Sequence, residues 1–264
     1  MKMKNFRKIP ALILVCFMLA AVMAGCGGAK EKVIIGITDY PPMNYQDDKG
    51  KWIGFESEFA EEVGKILGVD VEFQLVTDWN NIVMELNSGN VDLIWNGMTI
   101  NPERSENMAI STPYMYDAQA IVVKAADKDK YLTATDLSGV KLVAETGSTL
   151  EVTINSTALF ANADYTAVDS QLKGIMEVSA GNADMTVVDL IMAAELINAD
   201  GDFANLAYFD REELPKDAKY GIGVKKDRDD DLLKNINDAI KKLQDNGTLQ
   251  KIADKYGLGD ALVK

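Results

Sequence analysis

Histidine does not occur in this chain of 264 residues, and cysteine occurs only at Cys16 and Cys26. Without an imidazole there is no histidine-dependent catalytic triad and no imidazole metal site. Basic residues are also scarce, 27 against 41 acidic ones, for a formal net charge of −14. An acidic balance of this size argues against nucleic acid as a partner and against electrostatic docking on anionic lipid. Long apolar runs are missing too. The uncharged stretch from Ala11 to Ala24 falls short of the about 20 residues that a spanning helix needs.

That stretch follows Lys2, Lys4, Arg7 and Lys8, and the cationic start with a short apolar run reads as an export signal over residues 1–25. It ends at Met23-Ala24-Gly25-Cys26, which resembles the lipobox of bacterial lipoproteins. The resemblance implies cleavage before Cys26 and acylation of that residue, giving an extracytoplasmic protein anchored to the membrane by lipid. An ordinary signal peptide with an incidental cysteine is the plainer alternative. Cleavage removes four bases and no acids and discards Cys16, so the net charge moves from −14 to −18 and no disulfide can form. Removing 25 of 264 residues leaves 239, enough for one or two domains with a substantial core.

Residues 26–32 read as a short polar tether, after which strands and helices alternate. Strands are expected over Val33–Thr38, Val71–Val76 and Val91–Trp95, with helices over Phe55–Leu67 and Asn80–Asn87. A second series follows: strands at Lys141–Ala144, Asp164–Val168 and Met185–Val188, and helices at Thr149–Ala161, Ser170–Ala180 and Leu190–Asn198. Two such series imply two sheets flanked by helices. The β-rich runs Gln119–Lys124 and Tyr220–Lys225 lie between them and read as the two crossings. Helices at Asp230–Asp245 and Thr248–Tyr256 close the chain. The expected division is 33–117 for the first lobe, 118–218 for the second and 219–264 returning to the first. Asp47-Asp48-Lys49-Gly50 reads as a hairpin turn and not a calcium loop, because alternating ligand spacing is absent.

The most informative segment runs from Asp92 to Tyr114. An apolar strand ends at Asn96-Gly97, a hydroxyl follows at Thr99, and Arg104 comes five residues later. Gly97 has no Cβ to keep a ligand away from the backbone. The planar fork of Arg104 suits a carboxylate held by two parallel hydrogen bonds. Gly147-Ser148-Thr149 precedes a helix, whose free N–H groups favour an anion.

This segment, with Gly54-Phe55-Glu56-Ser57-Glu58-Phe59, Leu86-Asn87-Ser88-Gly89-Asn90-Val91-Asp92, Asp136-Leu137-Ser138-Gly139 and Gly181-Asn182-Ala183-Asp184, resembles the bacterial periplasmic solute-binding proteins of family 3. These are the amino-acid receptors of ABC importers. The resemblance spans nearly all of residues 33–257. It implies an α/β, two-lobed periplasmic-binding-protein fold of type II, each lobe a mixed sheet flanked by helices, joined by a two-strand hinge. It also implies a monomer that takes an amino-acid ligand, partners an ABC permease, and uses no cofactor and no metal. Arg104 would then hold the ligand α-carboxylate with help from Ser148 and Thr149. Asp189 would hold the α-ammonium, with the Gly97 carbonyl and the Thr99 hydroxyl. Tyr40, Trp79 and Met98 match the family's walls, and Asp39, Asn96 and Glu145 match its side-chain contacts. Asp39 and Glu145 favour a polar or basic ligand side chain over an acidic one.

Each role has an ordinary alternative. Arg104 could sit on the surface at a helix end, Ser148 and Asp189 could cap helices, Tyr40 and Trp79 could be core, and Glu145 could face solvent. Trp95 and Asp184 read as structural. Two further functions suit the same fold. One is a cyclohexadienyl dehydratase-like enzyme, which would lack histidine and cysteine for acid–base work. The other is the ligand-sensing module of a receptor, which would ordinarily carry a spanning helix.

Overall fold

The computed structural model describes residues 31–199 and 201–264; the export signal and Cys26 lie outside the described residues. The strands are β1 Lys32–Ile37, β2 Tyr45–Gln46, β3 Trp52–Ile53, β4 Asp70–Leu75, β5 Leu93–Ile94, β6 Met108–Ile110 and β7 Met115–Asp117. They continue as β8 Gln119–Lys124, β9 Lys141–Glu145, β10 Asp164–Val168, β11 Met185–Asp189, β12 Leu206–Phe209, β13 Ala218–Tyr220 and β14 Gly223–Lys225. The helices are α1 Phe55–Leu67, α2 Ile82–Ser88, α3 Pro102–Asn107, α4 Lys128–Leu132, α5 Thr149–Ser156, α6 Gln171–Ala180, α7 Leu190–Leu196, α8 Leu232–Asp245 and α9 Thr248–Lys255.

Two five-stranded mixed sheets result, in the orders β4-β1-β5-β14-β6 and β10-β9-β11-β8-β12. In each, three parallel strands come first, with the first in sequence flanked by the second and third, and antiparallel strands complete the sheet. The same local device recurs in both. Asp92 accepts a hydrogen bond from the Ile34 amide and Asp184 one from the Lys141 amide, each at 2.9 Å, tying a strand start to its neighbour. Asp184 is therefore structural, as its sequence context suggests.

Helix α1 shows why the first lobe holds together. Phe55, Phe59, Ala60 and Val63 recur at helical spacing and are buried, while Gly68 ends the helix in the left-handed region at φ 76°. Phe59 meets Trp95 edge-on at 4.8 Å between centroids. Ile236, Ile240 and Leu243 of α8 and Leu249 of α9 join the same core, so the C-terminal helices belong with α1. Burying each such side chain contributes about 1.5–3 kcal/mol.

The crossings lie elsewhere than the sequence suggests. Gln119–Lys124 is an interior strand of the second sheet, and the end of the run Tyr220–Lys225 is β14 of the first. The connection is a ribbon of β7 and β13, with Ala218 opposite Asp117, Lys219 opposite Tyr116 and Tyr220 opposite Met115. Gly221 and Ile222 interrupt that second run. A Cβ on Gly221 would press on Ile110 and Ile100, so the backbone passes where only glycine fits. Other expected elements are shortened. The helix expected over Thr149–Ala161 stops at Ser156, because hydroxyls of Thr153 and Ser156 bond back to carbonyls and Thr157 turns extended. Only Leu93–Ile94 of Val91–Trp95 is a paired strand. No helix among the described residues is long and apolar enough to cross a membrane.

Candidate functional site

Open α/β sheets place ligands beyond the carboxyl ends of their strands. Here both sheets do so toward one shared cleft. Thr38, Asp39 and Tyr40 follow β1, Trp79 follows β4, and Asn96 and Gly97 follow β5. From the other sheet come Glu145 at the end of β9, Ser170 and Gln171 after β10, and Asp189 at the end of β11. Thr99, Arg104, Ser148, Thr149 and Met192 complete the lining.

The structure thus brings Arg104, Asp189, Thr99, Gly97, Ser148, Thr149, Tyr40, Trp79, Asn96, Asp39 and Glu145 around one cavity. Met98 is not among them; it is fully buried in the cluster of Ile82, Leu86 and Ile94 beneath the cleft. Thr38, Ser170, Gln171 and Met192 had no motif to mark them. Strand order would have found the first three, since each lies just past a strand's carboxyl end.

Arg104 is buried, at 7% exposure, on the short helix α3 that Asn101 caps. Its Nη1 donates to the Thr99 carbonyl at 2.8 Å, its Nη2 to the Gly147 carbonyl at 3.4 Å, and its guanidinium carbon lies 5.8 Å from the Trp79 ring centre. None of its contacts is a carboxylate in ion-pair range among the described residues. Burial lowers its pKa to about 10, which leaves it charged at neutral pH. Trp79 is both core and wall.

Asp189 is 3% exposed and makes no capping bond to α7. Its Oδ2 accepts from the Tyr40 hydroxyl at 2.9 Å and from Gln171 Nε2 at 2.7 Å, while its Oδ1 has no hydrogen-bond partner among the described residues. The Tyr40 hydroxyl also lies 2.8 Å from that of Tyr220 on the connecting ribbon. Ser148 caps α5, accepting from the Glu151 amide at 3.3 Å, and donates to the Glu145 carbonyl at 2.6 Å. Thr149 and Thr99 meet across the cleft at 3.3 Å between hydroxyl oxygens, and Asn80 donates to the Thr146 hydroxyl at 2.7 Å. The two lobes therefore touch directly.

Two residues expected to read the ligand's side chain line the cleft in different settings. Asn96 spends its amide inside the first lobe, accepting from the Thr38 amide and Asn44 and donating to the Thr38 hydroxyl. Asp39 is exposed at the mouth, and burial raises its pKa only from the usual carboxylate range. Glu145, in contrast, is buried and does not face solvent. Beneath Gly97 a further acid was not legible as such. Glu56, wholly buried at the start of α1, accepts from the Gly97 amide at 2.9 Å, from Asn44 at 2.8 Å and from the Tyr114 hydroxyl. Gly97 has φ 53°, and a Cβ there would collide with the Tyr40 ring.

Burial first, and then the charge of Asp189, push the pKa of Glu145 up to about 8, against the opposing pull of Arg104. A carboxyl whose folded pKa is raised keeps its proton where the unfolded chain has lost it. Stability then falls as pH climbs from the usual carboxylate range through about 8. Glu145→Gln is expected to flatten this slope, with a gain on the order of a few kcal/mol at pH 8. Thermal melts of both proteins from pH 5 to about 8 check it; parallel curves would remove Glu145 as the titrating group.

The sequence matches the model of the bacterial extracellular solute-binding proteins, family 3, over residues 33–259. The L-cystine-binding protein TcyJ of Escherichia coli strain K12 is 32% identical over 219 residues, covering 82% of this chain and 79% of TcyJ. An ancestral arginine-binding protein bound to arginine superposes with TM-score 0.77 and 29% identity, over 86% of this chain and 99% of its own. A substrate-binding protein of an ABC uptake transporter from Streptococcus pneumoniae, with bound histidine, gives TM-score 0.78 and 26% identity, over 88% and 95%. A cleft flanked by two mixed sheets, the ribbon between them and a family match across nearly the whole described chain agree: the protein belongs to the bacterial extracellular solute-binding proteins, family 3.

Proposed function

We propose that the protein binds an amino acid outside the cytoplasmic membrane and passes it to the permease of an ABC importer. It is read as a binding protein and not an enzyme. The observation that carries this is the pairing of a buried arginine from one lobe with a buried aspartate from the other in one cleft. Arg104 offers a planar set of donors to an α-carboxylate, and Asp189 offers an acceptor oxygen to an α-ammonium. Ser148 and Thr149 add the start of α5 to the anion end; Gly97 and Thr99 add acceptors at the ammonium end. The relatives named above bind cystine, arginine and histidine, which supports an amino-acid ligand.

The acidic lining sets the side-chain preference. Glu145 lies buried in the cleft and Asp39 stands at its mouth, so a basic side chain would draw Glu145 into its charged form, whereas aspartate or glutamate would bring a further carboxylate beside them; a polar or basic side chain is favoured. Tyr40 and Trp79 form the flat walls along the ligand. Closure follows from contact with both lobes, because a ligand bound better by the closed form shifts the protein toward it. The lobes divide at 33–117, 118–218 and 219–264, so that both strands of the ribbon act as the hinge.

A thermal-shift panel of the amino acids tests the reading. A ligand at 100 times its Kd stabilises by about 2.7 kcal/mol. No shift with any amino acid would overturn the function. Tight binding of glutamate with none of arginine, lysine or glutamine would overturn the side-chain preference.

The monomeric protein is held at the membrane by acyl chains on Cys26. One chain binds only marginally, so stable retention needs more than one. Cys26→Ser expressed in a bacterial host is expected to leave the membrane fraction on washing; a variant that stays bound would place the anchor elsewhere.

A further inference from the structure

Among the described residues, five buried side-chain atoms have no hydrogen-bond partner, and four of them are oxygens at one place: both of Asp117, Oε1 of Gln119 and Oδ1 of Asp189. Buried polar groups are otherwise almost always satisfied, and an unsatisfied carboxylate costs more than a neutral group. Strand geometry explains the clustering. Gln119 stands directly opposite Asp189 in the β8–β11 ladder, and the Leu190 amide donates to the Ala118 carbonyl, so the pairing runs on toward Asp117. Residues 117 and 119 share one face of an extended chain, and directly opposed residues share that face too. The Asp117 and Asp189 carboxyls are thus neighbours, both 3% exposed.

Among the described residues no cationic side chain acts on Asp117. The groups that act on it are the Asp189 carboxyl from β11, the Tyr220 hydroxyl from β13 and the Ala118 amide, and none of them meets ordinary hydrogen-bond geometry with it. Tyr40, from the loop after β1, donates a hydrogen bond to Asp189 and is itself bonded to Tyr220. On the far side of Asp189 stand Gln171, Glu145 and Arg104, and the one positive charge there belongs to Arg104. Two ionised carboxylates side by side in this setting would repel, and the hydrogen bonds and the Arg104 charge all lie on the Asp189 side of the pair. A single proton on one of them removes the repulsion and supplies a donor to the other.

We propose that Asp117 is a positioning residue: a buried neutral carboxylic acid on the hinge strand β7 that donates its O–H to Asp189 and keeps that carboxylate ionised and aimed at the cleft. The assignment of the proton follows from access. Asp189 lines the cleft, where a ligand ammonium favours its charged form, whereas Asp117 does not line it and meets no cation. Burial raises the pKa of Asp117 well above the usual carboxylate range, in the direction this requires. The hinge strand thereby contributes to the ammonium end of the site. This rests on the reading of Asp189 as the ammonium partner.

Infrared spectroscopy of the unliganded protein at neutral pH tests the proton directly. Wild type is expected to show a protonated carboxylic-acid C=O band, part of which disappears in Asp117→Asn. No change in that band would overturn the proposal whatever the ligand. Calorimetry then tests the positioning role, with the standard amino acids as probes. Asp117→Asn keeps a donor without a titrating group and is expected to bind near wild-type strength. Asp117→Val supplies no donor and is expected to lose about tenfold or more, the weight of one hydrogen bond to a charged group. Equal losses in both variants would mean that an ionised Asp117 is needed, which overturns the proposal. Should Asp189→Asn bind normally, the ammonium assignment fails instead, while the infrared result still reads Asp117.

Discussion

Arg104→Ala is expected to weaken amino-acid binding by about 2–5 kcal/mol, or about 30-fold to several thousand-fold. The size follows from burial. The guanidinium sits under the lobe contact, against Trp79 and the Thr99 and Gly147 carbonyls, where little water can replace it. Deleting it leaves the ligand carboxylate desolvated and without its main partner, so most of the loss is the cost of that unpaired charge. Arg104→Lys should recover only part of the affinity, because an ammonium is a point charge and cannot present two parallel donors. Isothermal titration calorimetry measures both, with circular dichroism to show a native fold. Near-native affinity for Arg104→Ala with a native spectrum would remove Arg104 from the site.

Arg104 also shows why this site could be read before its fold was seen. A lone arginine says little, but the order Asn96-Gly97, Thr99, Arg104 places a close backbone approach, a hydroxyl and a fork within one turn-sized segment. The strands expected over Lys141–Ala144 and Met185–Val188 stop just short of Glu145 and Asp189, and in the structure each of these acids is the last residue of its strand. What the sequence could not carry is which strands pair. Gln119–Lys124 is a continuous apolar run, which suits a central strand as well as a crossing, and only the ladders with β11 and β12 decide. The true ribbon strands are three residues each, too short for any period to register. Buried acids are hidden for a related reason. Glu56 is followed by Ser57 and Asp117 by Ala118, with no local pattern that marks either as buried, and their burial depends on partners as distant as Gly97 and Asp189. Asn96 was legible as a cleft residue but not as a side chain already committed to Thr38 and Asn44.

Asp189→Asn is expected to cost about as much as Arg104→Ala, on the order of 2–5 kcal/mol of binding, and to leave the unliganded protein no less stable. The two halves of this result arise from the same charge. In the complex, the carboxylate neutralises a ligand ammonium that is shut away from water, and the isosteric amide cannot. An ammonium without that partner is an uncompensated buried charge. In the unliganded protein the carboxylate is a burden. Burial raises the pKa of Asp189 despite hydrogen bonds from Gln171 and Tyr40, and Asp117 and Glu145 lie nearby. Asparagine keeps an acceptor for Tyr40 and a partner for Gln171 while removing a buried charge. Affinity and melting temperature should therefore move independently, with binding lost and thermal stability held or raised. A residue that serves only to hold β11 and α7 together would lower both at once. Calorimetry and thermal melts on one preparation separate the cases: a parallel fall in both measurements, or near-native affinity, would remove Asp189 from the ammonium end of the cleft.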